Sequence, residues 1–245
     1  MENLLKMECY QLGRHRLYWC GMAGVFLLGF FTADTYVSDL MGTAQKEAAS
    51  LSDIFNGMIY DSTFLLIIIS GLLAFILGQE FSNRTVNLEI YAGHSRKTIF
   101  ISKLLIYLPA FNIMAVIYPA AGCLWELPGF GFSQGFDFLK NAVRGVGYSC
   151  LFNSAVFLIA VLFCFWLKSA VKAAAASSAA TFVLSLYLGY GMMLKLPVSF
   201  LPTYQIREAV SHTALFLPYG ISVGVVWSAA LIFVSWKSFA MCDLK

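Results

Sequence analysis

The chain has 245 residues, 60% of them hydrophobic and 12% charged, with a mean hydropathy of +0.76. A soluble domain carries about 25% charged residues, so water is excluded as the solvent for most of this surface. The net charge of +3 reflects membrane orientation and is no sign of nucleic-acid binding.

Residues 1–16 read as an amphipathic helix lying in the inner membrane interface. Leu4, Leu5 and Leu12 stand among Glu8, Tyr10 and the basic Arg14, His15 and Arg16. A membrane-crossing helix needs roughly 20 apolar residues to cover about 30 Å of hydrocarbon. Runs of that kind lie at 17–33, 62–78, 104–125, 146–167, 173–194 and 215–236, with no Asp, Glu, Lys or Arg away from their ends. They are continuous, whereas a barrel strand would alternate over about 10 residues. The first run sits behind a long polar segment and lacks a small-residue cleavage site, so it reads as a retained span. Six spans put both termini on one side. That side holds 11 of the 16 Lys and Arg residues and is therefore the cytoplasmic one.

Outside the membrane, the loop at 34–61 keeps a helical spacing of Leu40, Ala44, Ala48, Leu51 and Phe55, as if part of it folds back on the outer surface. The stretch at 195–217 is too apolar for a solvated loop. It carries Val198, Phe200, Leu201, Ile206, Val210, Phe216 and Leu217 with Pro197 and Pro202, which predicts helical pieces re-entering the outer leaflet. The six cysteines form no disulfide framework, and Cys123 and Cys150 are the one pair within reach of each other.

Reactive chemistry is scarce. His15, His94 and His212 are far apart, no His-Glu-x-x-His pair occurs, and no ionisable residue is expected inside the membrane, where pumps and proton-coupled carriers usually place one. The stretch 93–98 ends like a phosphate-binding loop, but Arg96 stands where glycine is required before Lys97. Asn83-Arg84-Thr85 fits a glycosylation triplet on the cytoplasmic side. Small residues open the fifth span (173–180, all Ala and Ser), and Gly220 and Gly224 mark the sixth. Both suit close helix contact, within the chain or between subunits.

The densest polar segment joins spans two and three. Between Ser82 and Ala92 it can form a short helix, capped by Ser82 or Asn83 and ended by Gly93, with Val86, Ile90 and Tyr91 as an apolar face. Ser95 would then cap the third span. Physically this is either a docking surface or an ordinary charged loop.

Glu80, Phe81, Arg84, Thr85, Tyr91, Gly93, Ser95, Arg96, Lys97, Ser102 and Lys103 together resemble the corresponding region of export-type (type-2) ABC transporter permeases. Within them, the pattern is similar to the small permeases paired with bacteriocin, lantibiotic or bacitracin self-protection ATPases. Asn83-Arg84 departs from the pattern, since many relatives have glycine there. The resemblance implies an all-α polytopic membrane protein: an N-terminal interfacial helix, six transmembrane helices, a cytoplasmic coupling helix and a re-entrant external segment before the last span, all in one permease domain over 1–245. It implies that Glu80, Phe81, Arg84, Thr85, Val86, Ile90, Tyr91 and Arg96 form the contact with a separate cytoplasmic ATPase, present in two copies. It gives Ala173, Ala176, Ser177 and Ala180 to packing against a second permease, identical or related. ATP and Mg would sit on the ATPase, with no cofactor, metal or catalytic residue in this chain. The setting implied is the bacterial plasma membrane, with the lipid bilayer and no nucleic acid among the partners. The cargo implied is an amphipathic peptide or other hydrophobic compound, with no contacting residues assigned. Two other readings stay open: a membrane-embedded peptide receptor or immunity protein that moves nothing, and an intramembrane enzyme built from scattered Ser, Tyr and Asn.

Overall fold

The computed structural model describes residues 1–42, 50–131, 135–211 and 218–241, with side chains from 35 to 42 left aside. Among the described residues there are ten α-helices and no strand: α1 (Glu2–Arg14), α2 (Arg16–Gly42), α3 (Leu51–Tyr60), α4 (Thr63–Ser82), α5 (Thr85–Tyr91), α6 (Arg96–Phe130), α7 (Gly135–Leu167), α8 (Ala170–Met193), α9 (Pro202–Ser211) and α10 (Pro218–Ala240). Six of them, α2, α4, α6, α7, α8 and α10, are long and apolar enough to cross a membrane. They match the six predicted spans.

The spans differ in burial. α4, α6 and α7 form the inner layer, while α2, α8 and α10 leave most of their surface to lipid. Small residues set the closest contacts. A Cβ on Gly78 of α4 would lie 2.7 Å from Ala170 Cα, and one on Gly71 would meet Ser178 Oγ at 2.2 Å. α4 and α8 therefore touch almost backbone to backbone, the contact that membrane helices use when lipid removes the hydrophobic drive. Ala173 and Ser177, assigned from the resemblance to a subunit contact, are fully buried within the chain, while Ala176 and Ala180 are half-buried. Gly220 and Gly224 likewise pack internally, since a Cβ on Gly220 would press on Gln205 of α9 and one on Gly224 on Phe152 of α7.

α6 and α7, at 35 and 33 residues, are each about 50 Å long at 1.5 Å per residue, well beyond the hydrocarbon. Pro109, Pro119 and Pro128 lie inside α6, where packed neighbours make such breaks tolerable. Beyond the membrane these helices form a platform for α3 and α9. Leu51 and Phe55 of the predicted helical spacing lie in α3, which folds back on that platform. Leu51, Ile54, Phe55, Met58 and Ile59 of α3 are buried, because apolar residues at helical spacing find a protein surface to cover. The predicted re-entrant stretch contains α9, with Gln205, Ile206, Ala209 and Val210 buried. Arg207 fastens α9 to α3, donating from Nε to Tyr60 O at 3.1 Å and pairing with Asp61 at 3.5 Å. Ala44, Ala48, His212, Phe216 and Leu217 lie outside the described residues. Cys123 and Cys150 are free thiols.

Candidate functional site

The opposite end of the bundle carries α1 and α5. α1 turns one stripe inward at i, i+4 and i+8: Leu4, Glu8 and Leu12, all buried. A carboxylate in the middle of an apolar stripe needs a partner. That partner is Lys103, two turns into α6, whose Nζ donates to Glu8 Oε1 at 2.6 Å. The same ammonium donates to Glu89 Oε1 of α5 at 3.2 Å and to Glu80 Oε2 near the end of α4. All three N–H bonds of Lys103 are thus used, each on a different helix. Glu80 Oε1 accepts from the Tyr107 hydroxyl. Lys103 is only 1% exposed, and Glu8 is 1% exposed.

The sequence expectation of no ionisable residue inside the membrane concerned the predicted spans, and this cluster is built from residues just outside them. Lys103 lies just before the predicted start of span three, and four elements, α1, α4, α5 and α6, close over it. Glu8, Glu80 and Glu89 each bring an oxygen within 4.8 Å of the others, a spacing that would suit a divalent ion. The Lys103 ammonium holds the place such an ion would take. Burial, followed by the neighbouring charge of Glu80, pushes the Glu8 carboxyl up to about 7. Burial likewise raises Glu89. A cleft of about 420 Å³ leads to this cluster, with Arg14, His15 and Gln79 on its walls and Glu80 and Tyr107 at the cluster itself.

The segment around the cluster is held by polar ties. α4 ends at Asn83, and Arg84 turns the chain with φ of 58°. Thr85 Oγ1 donates to Glu80 O at 2.8 Å across that turn. Neither Ser82 nor Asn83 caps α5. Ser82 Oγ instead accepts from Ala170 N–H at 3.1 Å, finishing the start of α8. Gly93 follows α5 with φ of 90°, as expected, and Ser95 Oγ caps α6 by accepting from Thr98 N–H at 3.2 Å.

The predicted apolar face of α5 is split. Val86 is buried with Glu89 on the inner side, Ile90 is half-buried, and Tyr91 projects outward, 84% exposed. Leu88, which sequence reasoning did not single out, joins Tyr91 on the outer side at 65% exposure. The split arises because Glu89 must face Lys103, which fixes the helix rotation. Phe81 packs inward against Phe165 and Phe239. Arg96 donates from Nη1 to the carbonyls of Phe239 and Ala240, at 3.3 and 2.9 Å, and so closes the end of α10. Of the residues assigned from sequence to an ATPase contact, Arg84 and Tyr91 are exposed, Thr85, Ile90 and Arg96 are half-buried, and Phe81 and Val86 are buried. Glu80 serves the interior cluster. Sequence reasoning missed Glu8, Glu89 and Tyr107. The one signal for Glu8 was its place between Leu4 and Leu12 on a single helix face.

The chain shows no match among curated proteins at the level of whole sequences. A family model described as "ABC-2 family transporter protein" matches residues 4–188, from α1 into α8 and including every member of the Lys103 cluster. With six membrane-length helices and a match over most of its length, the chain belongs to the ABC-2 family of transporter proteins as a membrane permease.

Proposed function

We propose that this permease is one subunit of an ATP-driven exporter and that α5 is its contact with a separate cytoplasmic ATPase. The observation that carries this reading is the division of labour on α5. Leu88 and Tyr91 stand free on one face, while Glu89 on the other is bonded to the lysine that also holds α1 and α4. A push on the outer face is thereby delivered to three other helices through directional bonds.

The distribution of Lys and Arg supports an α1–α5 end in the cytoplasm, and the sequence resemblance supports a bacterial plasma membrane with both termini on that side. The working unit is two permeases and two ATPases, with ATP and Mg bound by the ATPases. Ala176 and Ala180, with the exposed Ala175 and Ala179 beside them, leave a small-residue surface on α8 for the second permease. The cargo is an amphipathic peptide or similar hydrophobic compound, and the role is self-protection against it. That part rests on the sequence resemblance alone.

The test is to purify the permease with its ATPase and measure ATP hydrolysis and vesicle transport together. Leu88→Asp with Tyr91→Asp is expected to abolish ATPase binding, and Arg84→Glu with Thr85→Glu to uncouple hydrolysis from transport. Full transport and full ATPase retention in both double variants would sink the assignment of α5.

A further inference from the structure

We propose that Glu8 of α1 and Glu89 of α5 hold one proton between them, so that the chain contains a proton-binding site joining its first helix to its short exposed helix. The proposal goes beyond a transport role and stands on a count of charges and hydrogen-bond donors.

Three carboxylates face one ammonium, which leaves two negative charges uncompensated if all are ionised. The groups facing the site are Glu8 from α1, Glu80 from α4, Glu89 from α5, Lys103 and Tyr107 from α6, and the buried Cys164 thiol from α7. Cys164 donates to Ala74 O, away from the carboxylates. Arg14 and His15 line the cleft outside. Of the six carboxylate oxygens, three accept from Lys103 and one from Tyr107. Glu8 Oε2 and Glu89 Oε2 remain, both buried and both without a donor. Two buried acceptors without a donor repel each other and lose their hydration. A single proton cures both faults. Placed on Glu8 Oε2 and donated to Glu89, it removes one negative charge and satisfies the second orphan oxygen. Glu8 and Glu89 each bring an oxygen within 4.8 Å of the other, which makes them neighbours inside one enclosed cluster.

The raised proton affinity of Glu8 and Glu89 agrees with this arrangement and sets its direction. Glu8 binds its proton more tightly when folded than its ordinary value of 4.5. The folded state is therefore favoured when the group is protonated, and that advantage is lost as pH rises from about 4.5 through about 7. The proton exchanges with water through the 420 Å³ cleft that reaches Glu80 and Tyr107. Above the transition Glu8 and Glu89 both carry charge, and the bond between α1 and α5 becomes a repulsion.

Infrared difference spectroscopy of the full-length protein in nanodiscs tests this directly. A protonated carboxyl band is expected near pH 6 and should disappear as pH rises through about 7. Glu8→Gln, which keeps the shape and donates its own N–H to Glu89, should remove the band while leaving thermal stability intact and less dependent on pH. Glu89→Gln should also remove it at neutral pH, because Glu8 then has a donor and one less negative neighbour. If either variant fails to fold, hydrogen exchange of α1 in the unaltered protein replaces it: protection should fall several-fold between about pH 6 and pH 8. Absence of the band near pH 6, its survival in folded Glu8→Gln, or exchange of α1 that is flat across this range overturns the proposal. So does loss of the band on adding millimolar magnesium or calcium near pH 6, which would make the site one for a metal cation.

Discussion

The Lys103 cluster at one end of the bundle and the clefts between α6 and α7 towards the other are built by different means. At the α1–α5 end, Lys103 bonds three helices from a fourth, and each bond has a required length and direction. At the other end, α6 and α7 part around an apolar cleft of about 580 Å³ lined by Leu51, Phe55, Leu127 and Phe138, among others. It meets a second cleft of about 630 Å³ at Val116 and Val146. Apolar contact has no preferred direction, so α6 and α7 can shift there at little cost. Directional bonds thus hold the α1–α5 end, while the clefts between α6 and α7 are bounded by apolar contacts.

The largest expected effect breaks the Lys103 end. Lys103→Met leaves three buried carboxylates without a cation, and removing one partner of a buried ionic group costs about 3–5 kcal/mol. The variant should aggregate or melt far below the unaltered protein in a detergent thermal-shift assay, and triple replacement of Glu8, Glu80 and Glu89 by Gln in the same background should recover much of the loss. Next comes Gly78→Ala. Its Cβ would stand 2.7 Å from the Ala170 backbone, so α4 and α8 must separate. Overpacking of this kind costs about 1–3 kcal/mol, read as a lower melting temperature. A smaller effect is the pH response. Stability should decline as pH rises through about 7 in the unaltered protein and stay flatter in Glu8→Gln. The smallest effect sharpens the contrast from the apolar end. Ala142 lines the outer cleft, and Ala142→Leu should change stability by no more than about 0.5 kcal/mol, because the added methyl groups enter open space.

Much of the frame was legible from the sequence because it depends on local runs. Continuous apolar stretches mark the six spans, and Gly93 and Ser95 mark the end of α5 and the start of α6 from their own chemistry. The cluster was hidden because it is non-local. Glu8 and Lys103 are 95 positions apart, and nothing in either neighbourhood announces the other. Lys103 sat where the positive-inside pattern already accounted for a lysine, so its charge seemed explained. The apolar face of α5 was misassigned in part for the same reason. Its rotation is fixed by Glu89 reaching Lys103, and helical spacing alone does not reveal that. The surface that α3 folds back on was not legible, because it is made by α6 and α7 extending past the membrane.

The Arg96 bond to the end of α10 also bears on assembly during synthesis. The arginine precedes the carbonyls it caps by 143 and 144 positions. The donor that completes α10 stands at the head of α6, beside the Ser95 cap, and was synthesised before the carbonyls it meets. The end of the last described helix is thereby tied to the head of α6, so the closing turn of α10 and the opening turn of α6 are held as one unit.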